Sequence, residues 1–274
     1  MNSRELTDRL TLSEKSLINN FAKGKNSPPK ASLVIEIAER LENLLFPSFF
    51  PISGENRYSM ANLADELFAI ICGAIISVCG WELDLAEEIS EQILESLPEV
   101  KENLISDALA IYKGDPAASS VSEIILCYPG FFAVMSYRLA RLFYLRGIPY
   151  LPRMMTERAH RLTGIDIHPG AKIGTGFCID HGTGVVIGET ATIGDRVKIY
   201  QGVTIGAKSF EPDGMGGLIK GKKRHPDIGD DCIIYAGATI LGGDTVIGNG
   251  SVIGGNVWLT HSISPGSRVY YNEK

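Results

Sequence analysis

An apolar residue recurs at every sixth position from Ile167 through Ile173, Ile179, Val185, Ala191 and Val197 to Val203. The pattern lapses and resumes at Ile228, Ile234, Ile240, Val246, Val252 and Trp258. A sustained six-residue period fits neither an α-helix nor an alternating sheet, and marks a hexapeptide parallel β-helix. Each hexad supplies one short strand and one corner, and three hexads close a triangular coil of about eighteen residues. One branched side chain per face points inward, and each coil buries its interior by stacking on the next at about 4.8 Å. Gly-rich corners (Ile173-Gly174, Ile187-Gly188, Ile193-Gly194, Ile228-Gly229, Ile247-Gly248) turn the chain, Gly supplying backbone conformations that other residues adopt only at a cost.

The rest of the chain reads as helical. Ala31 to Leu45 has helical apolar spacing and stops before Pro47, and a polar loop follows around Phe50 to Tyr58. Leu67 to Trp81 is the most apolar stretch; a membrane span needs about 20 residues, so a buried helix is expected. Leu83 to Leu97 sets Leu83, Ala86, Ile89, Ile93 and Leu97 against an acidic, solvated face. Val100, Leu104, Ala108, Ile111 and Tyr112 repeat the pattern up to the turn Gly114-Asp115-Pro116. Helices over Phe131 to Tyr144 and Pro152 to Leu162 follow, the last ended by Gly164. The expected division is a helical domain at 1–163 and a β-helical domain at 164–274. Gly206 to Pro226 breaks the hexad register and is expected to protrude as a loop, a common place for function on a rigid scaffold.

Composition narrows the partners. A net charge of −6 leaves no basic footprint for nucleic acid. The five cysteines are widely spaced without a Cys-x-x-Cys pair, which argues against a disulfide scaffold or zinc ribbon and for a reducing cytoplasm. The polar, charged first residues do not read as a signal peptide.

Three histidines of the coils carry possible chemistry. His181 lies two positions after an inward aliphatic and should project outward, and Asp166 is fifteen residues earlier, close to one coil turn. A carboxylate stacked beneath an imidazole fixes its tautomer and raises the basicity of the other nitrogen. By spacing alone, the plainer reading of both as solvated turn residues comes ahead of the dyad. Arg224-His225-Pro226 closes the loop where the coil resumes and offers two donors for a carboxylate or phosphate. The run Lys220 to Arg224 is also readable as a solvated basic stretch. His168, before Pro169 at a corner, reads as packing.

Taken together, Asp166-Ile167-His168-Pro169, Asp180-His181-Gly182-Thr183-Gly184, Gly188-Glu189-Thr190 and Arg224-His225-Pro226 resemble the serine O-acetyltransferases. The likeness reaches upstream to Tyr137-Arg138 and Gly114-Asp115-Pro116. It implies an α+β fold, with an N-terminal α-helical domain followed by a left-handed parallel β-helix bearing one protruding loop. It also implies acetyl transfer from acetyl-CoA, as co-substrate and without a metal, to the hydroxyl of L-serine. In that resemblance His181 matches the general base and Asp166 its orienting carboxylate. Asp115 and Asp180 match the acids that meet the substrate amino group, and Arg224 and His225 the groups that meet its carboxylate. Gly206, Ala207, Ala236 and Gly255 match the small residues lining a CoA groove between neighbouring subunits, and Lys220 to Lys223 are further candidates for CoA phosphates. The family forms trimers, which can pair through their N-terminal helices, and cysteine is a feedback inhibitor because it shares serine's amine and carboxylate. The stretch Ala207 to Lys223 is longer than the family's short Gly-rich loop. The ending Tyr271-Asn272-Glu273-Lys274 lacks the Ile-terminated tail that docks into the sulfhydrylase, so that complex is not expected.

The same repeat also serves other functions. A sugar or antibiotic acetyltransferase would not need Asp115 and Arg224. A carbonic anhydrase of the γ type lacks here its His-x-x-x-x-His zinc pair. A non-catalytic scaffold would have no use for Asp166 and His181.

Overall fold

A computed structural model describes Thr11 and residues 28–50, 60–214 and 217–271. Most of the polar loop expected after Phe50 and the chain end from Asn272 lie outside the described residues. Helices α1 (Ala31–Leu45), α2 (Met60–Cys79), α3 (Leu83–Glu95), α4 (Leu97–Gly114), α5 (Val121–Cys127), α6 (Pro129–Leu145) and α7 (Leu151–Thr163) precede the strands. α2 is longer than the sequence reading: its 20 residues and apolar content suffice, by length and composition alone, to cross a membrane. Here it packs against α1 and α3, with Leu63, Leu67, Ile71 and Ile75 buried. Two residues expected on apolar faces, Leu83 and Tyr112, are exposed. α5 had no apolar period long enough to read; Ser120 caps it, its Oγ accepting from the Glu123 amide at 3.1 Å.

Strands β1 (Asp166–Ile167), β2 (Lys172–Ile173), β3 (Cys178–Asp180), β4 (Val186–Ile187), β5 (Thr192–Ile193), β6 (Lys198–Tyr200) and β7 (Thr204–Gly206) come before the loop. After it come β8 (Asp227–Ile228), β9 (Ile233–Ile234), β10 (Thr239–Leu241), β11 (Val246–Ile247), β12 (Val252–Ile253), β13 (Trp258–Leu259) and β14 (Arg268–Val269). They form three parallel sheets that the chain visits in rotation: β1-β4-β7-β10-β13 on the first face, β2-β5-β8-β11 on the second and β3-β6-β9-β12-β14 on the third. The result is a parallel β-solenoid, a triangular prism whose three edges are stacks of corners.

The inward rows correct the simple six-residue reading. Two residues per hexad point inward, as in Ile165 and Ile167, Val185 and Ile187, or Val203 and Ile205, all nearly inaccessible. The first coil is twenty residues long, since Asp166 pairs with Val186 and Cys178 with Lys198, whereas Val186 pairs with Thr204 eighteen on. Two extra residues therefore sit in the corner from His181 to Gly184. One more enters near Gly242-Gly243, where Val246 pairs with Asp227. After that slip Val246 and Trp258 point outward, 47% and 70% exposed, and Ile247, Ile253 and Leu259 fill the interior instead.

Close approach, rather than backbone conformation, explains one column of glycines. A Cβ on Gly174, Gly194 or Gly229 would lie 2.2–2.3 Å from an oxygen of Asp195, Asp230 or Asn249 on the next coil. Those oxygens accept the amides of Thr175, Asp195 and Asp230 at 2.8, 2.8 and 3.1 Å. The helices join the coils through one continuous core. α4 and α6 lie on β3, and α6 and α7 on β1. Arg138 of α6 forms a buried fork with Asp107 of α4 at 2.7 and 2.9 Å and also donates to the Gly174 carbonyl at 2.6 Å. Asp107 in turn accepts the Phe177 amide at 2.8 Å, so one ion pair clamps two helices to the first coil.

Candidate active site

His181 occupies the edge between the third and first faces, within the two-residue insertion. Its backbone is left-handed at φ 59°, an uncommon conformation for a residue with a side chain, and its ring is 75% exposed. The corner rests on the segment before β1, since the Gly184 amide donates to the Gly164 carbonyl at 2.8 Å and Asp166 N to Val185 O at 2.9 Å. The insertion thus lifts the imidazole outward rather than letting it join the regular prism edge.

Around His181 the structure gathers both acids expected to meet an amine. Asp180, at the end of β3, has Oδ1 3.8 Å from His181 Nε2 and Oδ2 2.9 Å from Lys198 Nζ. Asp115 follows the last residue of α4 and lies close enough to feel the charges of Lys198 and His181. Its Oδ1 accepts the Ala117 amide and its Oδ2 the Tyr128 hydroxyl, both at 2.8 Å. Those two bonds favour the ionised carboxyl and hold it below the usual range. The same contact, with burial, pushes the Tyr128 hydroxyl up to about 12.

Arg224 and His225 lie elsewhere, at the edge between the first and second faces, where the loop rejoins the coil. The Thr190 amide donates to His225 Nδ1 at 3.1 Å, so Nδ1 is the acceptor and Nε2 carries the proton. Thr190 Oγ1 contacts the same nitrogen at 2.8 Å and accepts the Arg224 and His225 amides. His225 is 7% exposed; burial first, then the Arg224 cation, lower its pKa to about 4, so the ring is a neutral donor near neutrality. The Arg224 guanidinium meets Glu189 Oε2 at 2.5 Å, and Tyr144 donates to Oε1 at 3.2 Å. Burial alone would raise the Glu189 carboxyl; the hydrogen bond and charge of Arg224 outweigh it and keep it low.

The remaining candidates divide between these edges. Asp166 pairs with Arg153 at 3.3 Å, beside Glu157 and His160. Ligand atoms of Glu157, His160 and Asp166 come within 4.8 Å of one another, and the Arg153 guanidinium already supplies a cation there. Ala236 and Gly255 share the His181 edge on later coils, a Cβ on Gly255 lying 3.2 Å from the Ala236 carbonyl. Gly206 ends β7 on the first face, and Ala207 opens the loop. His168 packs, as read: Nδ1 accepts the Gly170 amide at 3.0 Å and the ring meets Tyr144 edge-on. Two of the loop's lysines are tied down, Lys222 to Glu211 and Lys223 to Asp227. With Lys208, Phe210 and Arg224 they border a cavity of about 560 Å³.

Sequence reasoning missed Lys198, Tyr128 and the supporting roles of Glu189 and Thr190. Lys198 carried a usable signal, being the outward residue paired with Cys178, two before the acid. Tyr128 had none, because α5 was not legible.

Comparison with known proteins bears on the family and the fold. Residues 57–136 match the family described as serine acetyltransferase, N-terminal. A plasmid serine acetyltransferase of Synechococcus elongatus is 60% identical over 184 residues, 67% of this chain and 57% of its own length. The first curated relatives are thus matched over little more than half their length. Among solved structures, Entamoeba histolytica serine acetyltransferase 1 in complex with L-cysteine superposes with TM-score 0.76 at 41% identity, covering 90% of this chain and 88% of that one. Neisseria gonorrhoeae serine acetyltransferase in complex with serine gives TM-score 0.58 at 29% identity, covering 89% and 97%.

Proposed function

Because the chain belongs to the serine acetyltransferase family, we propose that it transfers acetyl from acetyl-CoA to the hydroxyl of L-serine, yielding O-acetyl-L-serine and CoA. The observation that carries this reading is the convergence of Asp115, Asp180 and His181 on one edge. It supplies two anions for an α-ammonium beside an exposed imidazole for the hydroxyl next to it.

In this mechanism His181 takes the serine proton as the hydroxyl oxygen attacks the thioester carbon, the tetrahedral intermediate collapses, and CoA leaves as the thiol. A positioned imidazole acting this way contributes about 10²- to 10⁴-fold. Asp166, beneath the His181 corner, orients the ring, leaving its present partner Arg153 to do so. Backbone amides of a corner serve the developing oxyanion. Arg224 and His225 Nε2–H hold the serine carboxylate, Arg224 sharing its guanidinium with Glu189. CoA lies along Gly206, Ala207, Ala236 and Gly255, whose small side chains let the pantetheine arm approach the backbone, with the loop lysines near its phosphates.

The amine and carboxylate groups sit at opposite edges of the first face, so one serine molecule does not reach both within a single copy. Two copies placed side by side, with the His181 edge of one against the Arg224 edge of the next, unite them. A closed trimer repeats that contact three times, and two trimers can meet through the helices. The helical part, 1–163, then contributes Asp115, and the coil part, 164–274, the other groups. Cysteine, with serine's amine and carboxylate, is the expected inhibitor of this site. The five cysteines are all free, consistent with a reducing cytoplasm.

The test is thiol release from acetyl-CoA with L-serine, beside a panel of sugars. Release with serine that falls at least about 100-fold in His181→Ala is expected. A reactive sugar with inert serine would overturn the substrate assignment.

A further inference from the structure

We infer that Lys198 is a positioning residue of the amine subsite, an internal cation that ties the segment carrying Asp115 to the strand end carrying Asp180. The inference rests on the serine reading above and deepens it.

Three contacts define the ammonium. Lys198 Nζ lies 2.9 Å from Asp180 Oδ2, 2.7 Å from the Gly114 carbonyl, and 4.6 Å from the centre of the Tyr200 ring. An ammonium has three N–H donors and no acceptor; the two oxygens take two of them, and the ring face adds a cation–π contact. The side chain is only 15% exposed. Burial would lower its pKa, but hydrogen bonding to Tyr200 and Asp180 with the neighbouring negative charge outweighs this and holds it above the ordinary lysine value.

The two anchored segments belong to different layers. Gly114 is the last residue of α4, immediately before Asp115, and its carbonyl is at the partly negative helix end that favours a cation. Asp180 closes β3 on the solenoid, and Lys198 itself starts β6, one coil further on. Tyr128 and the Ala117 amide fix the Asp115 carboxylate from the far side. Lys198 is therefore the link that sets one acid relative to the other.

Charge gives the link a second effect. Two carboxylates with one resident ammonium carry a net charge of −1, which a single α-ammonium neutralises. Without Lys198 the acids repel each other, and the Gly114 carbonyl loses its partner, so the pair no longer presents the spacing one substrate ammonium bridges.

The experiment is steady-state kinetics on the full chain for wild type, Lys198→Met and Lys198→Arg, with L-serine and with 3-hydroxypropionate, which is serine without its amino group. Lys198→Met should raise KM for serine about ten-fold, with kcat within about two-fold and KM for acetyl-CoA unchanged. Preference for serine over 3-hydroxypropionate should fall by a similar factor. Lys198→Arg, which keeps the charge and the donors, should restore most of both. A general structural weakening would lower kcat and leave the substrate preference intact. Wild-type turnover of serine with unchanged KM and preference in Lys198→Met overturns the inference alone. Should Lys198→Met fail to fold, a Lys198→Arg protein that loses the preference overturns it equally. Wild type inert toward serine removes the functional reading and this inference with it.

Discussion

Replacing Asp107 with Ala should remove the clamp between the helices and the first coil, and the structure sets the scale of the loss. Asp107 is fully buried and its partner Arg138 is 8% exposed. Truncating the acid leaves a buried guanidinium with only the Gly174 and Ile173 carbonyls, at 2.6 and 3.4 Å, and strips the Phe177 amide of its acceptor. Breaking a buried pair from one side costs about 3–5 kcal/mol. Against a domain stability of about 5–15 kcal/mol that is a large fraction. Removing both charges in an Asp107→Ala, Arg138→Met double variant should cost less than the sum of the two single changes. The stranded amide and carbonyls still cost about 1–3 kcal/mol each. Urea unfolding followed by circular dichroism, at one protein concentration, gives the four corners of the cycle. The coupling energy should reach at least about 2 kcal/mol. Asp115 hangs from the same helix, so any Asp107→Ala protein that still folds should show a raised KM for serine. A loss below about 1 kcal/mol in Asp107→Ala would refute the argument that this pair fixes the helices on the coil.

Gly188→Ala should disable the Arg224 edge, because its Cβ would lie 2.1 Å from the His225 ring. Overpacking of this kind costs about 1–3 kcal/mol, and a raised KM for serine with unaltered affinity for acetyl-CoA should accompany it. His225 also makes a signed pH prediction. Its folded pKa of about 4 lies below the unfolded value, so the native state resists protonation, and its stability is intact above about pH 6.5. It falls as the pH drops toward 4, by about 2 kcal/mol at pH 5. Urea midpoints at pH 7.5 and 5 should separate more in wild type than in His225→Asn, and equal separations would refute the assignment.

Periodicity settled the architecture, since only a coil that stacks on itself rewards an apolar residue every six positions over so long a stretch. His181 projects as its spacing said it would, and Gly164 ends α7 in the left-handed conformation expected of it. The short strands were legible because their partners lie one coil away at a nearly constant offset. The slips were not: after Gly242 the inward row passes from Val246 to Ile247, and Val, Ile and Trp look alike to a count of apolar residues. Nor did the letters tell the two uses of glycine apart. Gly164 is needed for its φ of +72°, Gly188 for the ring that lies against it.

The chain's own order determined the prism, its corners and the residues able to do chemistry on them. What meets across those corners was decided by tertiary structure. Lys198 reaches Gly114 across 84 positions of chain, and Asp107 reaches Phe177 across 70. A helix of no marked chemical character thereby brings Asp115 to the strand end that carries Asp180. The physical reason is one of range. Local periodicity fixes which side of a strand a residue faces, whereas the pairing of charges depends on how a separately folded layer settles onto that face.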